Sequence, residues 1–166
     1  MCQCIVEVFD SLTLYHEQNR VHVEGWKTND AWKVNQRFIL PDIVSSFYGH
    51  HDLNYYRLGL LADIDRAMAT LEGRRLGDVP VTIERALRES LKGGGQWSGV
   101  LLTSTYFEMR AYCKGTVHFK FRDRALWERF NRTAAQGKNW LPDDYKAREK
   151  AERARHARAD QYGLPL

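Results

Sequence analysis

The side chains best suited to chemistry are concentrated in one stretch, Tyr106 to Arg122, which reads YFEMRAYCKGTVHFKFR. Arg110, Lys120 and Arg122 could hold a phosphate through charge-assisted hydrogen bonds, and Glu108 and His118 are residue types that exchange protons. Together they make the set a metal-independent ribonuclease would use to drive an RNA 2′-hydroxyl onto its neighbouring phosphate. Tyr106, Tyr112 and Lys114 add aromatic and cationic contacts, so the same residues suit binding of a nucleic acid or a partner without catalysis. They also match the solvent side of an antiparallel sheet whose cross-strand ion pairs satisfy one another. All three readings stand at the level of sequence.

Two alternating runs around a glycine predict a hairpin, and side-chain consistency fixes its register. A two-residue turn at Lys114-Gly115 would set Arg110 opposite Phe119 and Glu108 opposite Phe121, mixing charge into the apolar row. A three-residue loop, Cys113-Lys114-Gly115, with Gly115 in the left-handed conformation, instead pairs Ala111 with Val117, Met109 with Phe119 and Phe107 with Phe121. One face is then wholly apolar. The other aligns Tyr112 with Thr116, Arg110 with His118, Glu108 with Lys120 and Tyr106 with Arg122.

Further elements must support this hairpin. Asp123 can cap a helix over 123–136 whose Leu126, Trp127, Phe130 and Ala134 repeat at helical spacing and can lie on the sheet. Residues 56–71 place Leu60, Leu61, Ile64, Ala67, Met68 and Leu71 on one helical face, stopped by Gly73. A helix over 81–91 starts beside Pro80, turns Ile83, Leu87 and Leu91 inward, and ends in Gly93-Gly94-Gly95. A strand is expected over 32–39, where Trp32, Val34 and Phe38 alternate and Pro41 follows. The N-terminal run Ile5, Val6, Val8, Phe9, Leu12, Leu14 fits either a strand and turn or a short amphipathic helix. The fold class is therefore α+β: an antiparallel sheet around the hairpin, packed against two or three helices.

Other candidate motifs carry little. The triple glycine lacks the spacing of a phosphate loop. His50-His51 beside Asp52, and Cys2 and Cys4 with His16 or His22, fall short of a metal-ligand pattern, so no metal and no cofactor is expected. Asp63 and Asp65 lie two apart on a helix and point to different sides. Ion pairing of Asp63 with Arg66, and of Asp65 with the region of Arg74, is the expectation. Most of the five tryptophans should be core, with Trp26 and Trp140 the more exposed.

With 166 residues, 43% hydrophobic and 28% charged, the composition is that of one globular domain and excludes collagen, low-complexity and disulfide-scaffold classes. No apolar run approaches the ~20 residues of a spanning helix, and no secretory leader pattern is visible. A protein kept in the cytoplasm of a host cell, with reduced cysteines and no membrane partner, is expected. The formal charge of +4 arises from one segment. Residues 146–158 hold six basic side chains (Lys146, Arg148, Lys150, Arg153, Arg155, Arg158) and two acids, and the remainder is balanced at 19 against 19. Its alanines at 147, 151 and 154 follow helical spacing without any large apolar partner. The expected organisation is one domain over 1–142 and a basic helical extension over 143–166, either a solubilising tail or a contact for nucleic acid or an acidic partner.

Several blocks resemble the family known as domain of unknown function 4942, which occurs in prophages, plasmids and other mobile elements. They are Phe107 to Arg110, Lys114-Gly115, Val117-His118-Phe119-Lys120-Phe121 and Leu126 to Asn131, with Trp32-Lys33-Val34, Arg37 to Leu40, Asp63 to Arg66 and Leu71-Glu72-Gly73 upstream. The likeness spans about residues 20–136, with Thr116 departing from the Asn that is usual after the turn glycine. Some relatives are fused behind prophage toxin domains and others accompany DNA methyltransferases. The resemblance implies a mobile-element protein and supplies no active site.

The functional expectation is a phage or mobile-element accessory protein that binds nucleic acid or a host nucleoprotein, as an anti-defence (anti-CRISPR or anti-restriction) inhibitor. The alternative is a ribonuclease-type toxin or effector using His118, Arg110, Lys120 and Glu108. A homodimer through an open sheet edge is the third class.

Overall fold

The computed structural model describes residues 3–18, 33–92 and 96–138. Its first element settles the N-terminal ambiguity in favour of a helix, α1 (Gln3–Gln18). Ile5, Val8, Phe9 and Leu12 recur at helical spacing and are all buried.

A short strand β1 (Arg37–Leu40) follows, and then β2 (Val44–Phe47) and β3 (His50–Leu53) pair as a separate antiparallel hairpin. The Tyr48-Gly49 turn joining β2 to β3 takes positive φ at both residues, 49° and 80°, as a two-residue turn matched to strand twist requires. A 3-10 turn at Tyr55–Arg57, capped by the Asn54 side chain, leads into α2 (Leu58–Leu71). Gly73, at φ 73°, stops that helix as expected, and the Arg129 guanidinium donates to the terminal Leu71 carbonyl at 2.9 Å. Next come α3 (Ile83–Lys92), β4 (Leu101–Thr103), β5 (Phe107–Ala111), β6 (Val117–Phe121) and α4 (Arg124–Gly137). Asp123 caps α4, accepting from the amides of Ala125 at 2.7 Å and Leu126 at 3.2 Å.

The main sheet is antiparallel in the order β1-β6-β5-β4. This is the expected α+β class, and the central hairpin has the expected register: Phe107 opposite Phe121, Met109 opposite Phe119, Ala111 opposite Val117. Gly115 closes the loop at φ 83°, its amide donating to the Tyr112 carbonyl at 2.9 Å. Its own carbonyl accepts from both Ile43 and Val44, at 2.8 and 3.1 Å, which docks the loop onto β2. A Cβ at this position would lie 2.6 Å from the Val44 carbonyl oxygen. Left-handed strain and a backbone collision thus coincide, and Gly115→Ala is expected to lower the urea-unfolding free energy by about 2 kcal/mol or more.

The apolar face of the sheet shares one core with α1, α2, α3 and α4. Phe38 stacks on Phe119 with centroids 4.9 Å apart, and Phe121 contacts Phe130 of α4, which in turn meets Phe9 of α1. Two expectations need correction. The strand expected over 32–39 begins only at Arg37, because the Val34 backbone is bonded to α4: its amide donates to Asn131 Oδ1 at 2.6 Å and its carbonyl accepts from Trp127 Nε1 at 2.8 Å. Asp65 makes no surface pair with the Arg74 region. It is 1% exposed, and its Oδ2 accepts from the Ile83 amide at the start of α3 at 2.7 Å. The other expected pair, Asp63 with Arg66, does form.

Candidate functional site

The face of the main sheet opposite the core carries two rows of side chains that each cross all four strands. One row runs Ile39, His118, Arg110, Leu101, and the other Arg37, Lys120, Glu108, Thr103. Strand alternation puts them there, since their neighbours Phe38, Met109, Phe119 and Phe121 are drawn into the core. All eight are at least partly exposed. Beyond the first row, Tyr112 extends the pairing to Thr116, and its ring meets that of His118 at 4.7 Å with a 55° tilt. The sequence-derived set of Glu108, Arg110, Tyr112, His118 and Lys120 is therefore brought together on one surface. Arg37 and Ile39 complete it from β1, and Leu101 and Thr103 from β4. The sequence reading missed these four because nothing in the sequence shows which strands flank a hairpin.

Electrostatically the face is a cationic field around one carboxylate. The Lys120 ammonium donates to Glu108 Oε2 at 2.9 Å. That hydrogen bond, then the charge of Lys120, with Arg122 and Arg37 behind it, holds the Glu108 carboxyl below its ordinary range. A carboxylate so held is a weaker base, so Glu108 is placed to balance cations. The Arg110 guanidinium donates to the Gly99 carbonyl, which ties it to the loop before β4. Three cations (Arg37, Arg110, Lys120) against one anion leave the two rows net positive.

Tyr106 departs from its expected place. Its carbonyl still accepts from the Arg122 amide at 3.0 Å, as the register requires, but its side chain is buried. The tight bend at Ser104, whose Oγ accepts from the Phe107 amide at 3.1 Å, breaks the alternation just before β5. The Tyr106 hydroxyl donates to Glu72 at 3.2 Å, and burial together with that carboxylate pushes the phenol up to about 12. Arg122 turns toward the same corner, donating to the carbonyls of Ser104 at 2.9 Å and Thr105 at 3.2 Å. The two residues line a cleft of about 330 Å³ with Glu72, Arg74 and Asp123. Its polar groups have partners within the protein: Glu72 also pairs with Arg74 at 3.6 Å, and Asp123 caps α4.

Lys114 is exposed at the loop tip. His50 and His51 diverge along β3: His50 is exposed, whereas the His51 ring packs on Trp97 at 4.7 Å. Among the described residues no cluster of three or more His, Cys, Asp and Glu is placed to hold a metal ion. Also among them, no helix is long and apolar enough to cross a membrane. Lys146, Arg148, Lys150, Arg153, Arg155 and Arg158 lie outside the described residues, as do Cys2, His22, Trp26, Trp32, Gly93 to Gly95, Trp140 and the side chain of His16.

No curated protein and no solved structure matches the chain. The model of one family does match, over residues 1–140, and these span both rows of the sheet face and every element described above. The chain accordingly belongs to the family described as domain of unknown function (DUF4942).

Proposed function

We propose that this protein is a nucleic-acid-binding protein whose contact surface is the outer face of the four-stranded sheet. The observation that carries the reading is the pair of cross-strand rows, which set three cations, Arg37, Arg110 and Lys120, against a single carboxylate, Glu108, that is itself paired with Lys120. Such a surface attracts a polyanion and leaves cations to contact its phosphates. The six basic residues between Lys146 and Arg158 give the same reading a second support in sequence. A narrower form, an anti-defence role against a host nucleoprotein in a phage or other mobile element, draws its support from the settings in which relatives occur.

The test is the salt dependence of binding. Wild-type affinity for a labelled oligonucleotide is expected to fall steeply with salt. In Arg37→Gln/Arg110→Gln the log–log slope should be shallower by about 1 to 2, one phosphate contact being lost per arginine. An unchanged slope and dissociation constant would remove the sheet face from the interaction. The catalytic alternative makes a different demand on the same face, since it requires His118→Ala to abolish RNA cleavage.

A further inference from the structure

We infer that the sheet face takes single-stranded rather than duplex nucleic acid, with an unpaired base held against the Tyr112–His118 ring pair; this rests on the nucleic-acid reading above. The first row is amphiphilic: Ile39 and Leu101 lie at its two ends, and His118 and Arg110 occupy its middle. Leu101 is 52% exposed and the adjoining Val100 41%, so apolar surface stands beside the cations on the outer edge of the sheet. A duplex presents sugar-phosphate outward and keeps its base faces stacked inside, so it offers phosphates to the cations but nothing to the rings and aliphatic groups. A single strand offers both. Its phosphates can meet Arg37, Lys120 and Arg110, while its base faces cover rings and aliphatic groups.

The ring geometry agrees with this division. Tyr112 is half-buried, its ring lying beside Gly99, while His118 is exposed. Their centroids are 4.7 Å apart at 55°, so the two rings form an angled platform instead of a closed stack. The second row lies two residues further along the strands, about 7 Å away, so a chain crossing the platform meets cations again at the scale of one nucleotide.

The experiment uses the full-length chain and fluorescence anisotropy with three probes at moderate salt: a twelve-residue oligo-U RNA, oligo-dT of the same length, and a blunt DNA duplex. The single strands are expected to bind at least about tenfold more tightly than the duplex. Tyr112→Ala should weaken them by about fivefold or more, in the range for loss of one stacked base, while Tyr112→Phe keeps the affinity. Leu101→Ser, at an exposed position, should weaken single-strand binding without touching the ring pair. In none of these variants should the salt slope change, since no charge is removed. Equal or tighter duplex binding, or Tyr112→Ala binding single strands like wild type, would overturn this inference and leave the parent reading intact. If none of the probes binds and an acidic peptide does, the parent reading itself fails.

Discussion

Replacing Asp65 by Asn is expected to raise stability above pH 7 by about 2 to 4 kcal/mol while leaving it nearly unchanged at pH 4. Asp65 sits inside the apolar stripe of α2, between Leu61 and Ile64 on one side and Met68 on the other. One carboxylate oxygen accepts from the Ile83 amide, and the other has no hydrogen-bond partner among the described residues. Burial raises the group from its ordinary 3.8 to about 7, only partly opposed by the Ile83 hydrogen bond. The folded state therefore holds a proton that the unfolded chain releases near pH 4. Its contribution is fully present below that pH, is lost as pH rises toward 7, and stays lost above it. A rise from 3.8 to about 7 sets a ceiling of about 4 kcal/mol on the effect. Asparagine keeps an oxygen for the Ile83 amide and cannot ionise, so the difference between variant and wild type isolates this one group from every other titration. Urea unfolding at a series of pH values measures it. A difference that stays flat from pH 4 to 8 would show that Asp65 carries no such burden.

The second large effect is expected at Asn131. Its side chain is 2% exposed and makes three hydrogen bonds: Oδ1 accepts from the Val34 amide at 2.6 Å, and Nδ2 donates to the carbonyls of Val34 at 3.2 Å and Trp127 at 3.1 Å. This clamp joins α4 to the segment entering β1, nearly a hundred residues away in the chain, and so sets where Arg37 and Ile39 join the sheet. Asn131→Ala strands the buried Val34 amide and opens a cavity, for a loss of about 2 to 4 kcal/mol in urea unfolding. Asn131→Leu, which restores most of the volume, should recover only part of that loss. Trp127→Phe removes one of the two donors to the Val34 carbonyl and should cost about 1 kcal/mol. Full recovery of stability by leucine would assign the site to packing alone.

Much of the scaffold was legible in the sequence because two periodicities were unambiguous. The 106–122 hairpin permits one register in which an entire face is apolar, and that register is the observed one. The helical stripes of α2, α3 and α4 were visible for the same reason. Where periodicity was short or shared, the reading ran out: the α1 run fits two periods, and its packing against α2 and α4 is not encoded locally. Asp65 illustrates a signal that was present and outweighed. Its spacing from Leu61 and Met68 puts it on the buried stripe, yet a carboxylate beside arginines suggests a surface pair. Tyr106 illustrates one that was absent, because its parity in the strand is correct and only the Ser104 bend undoes it. The candidate site was half legible. Its central hairpin residues followed from register, while Arg37, Ile39, Leu101 and Thr103 joined them through strand order, which local sequence does not encode.

The most direct test of the sheet-face reading is to locate the contact by backbone amide chemical shifts while titrating the full-length protein with oligo-dT. Saturable shifts are expected at Arg37, Ile39, Leu101, Arg110, His118 and Lys120, with α3 and the core-facing helices unmoved. Saturable shifts confined to the helical side, or to residues 139–166, would contradict it.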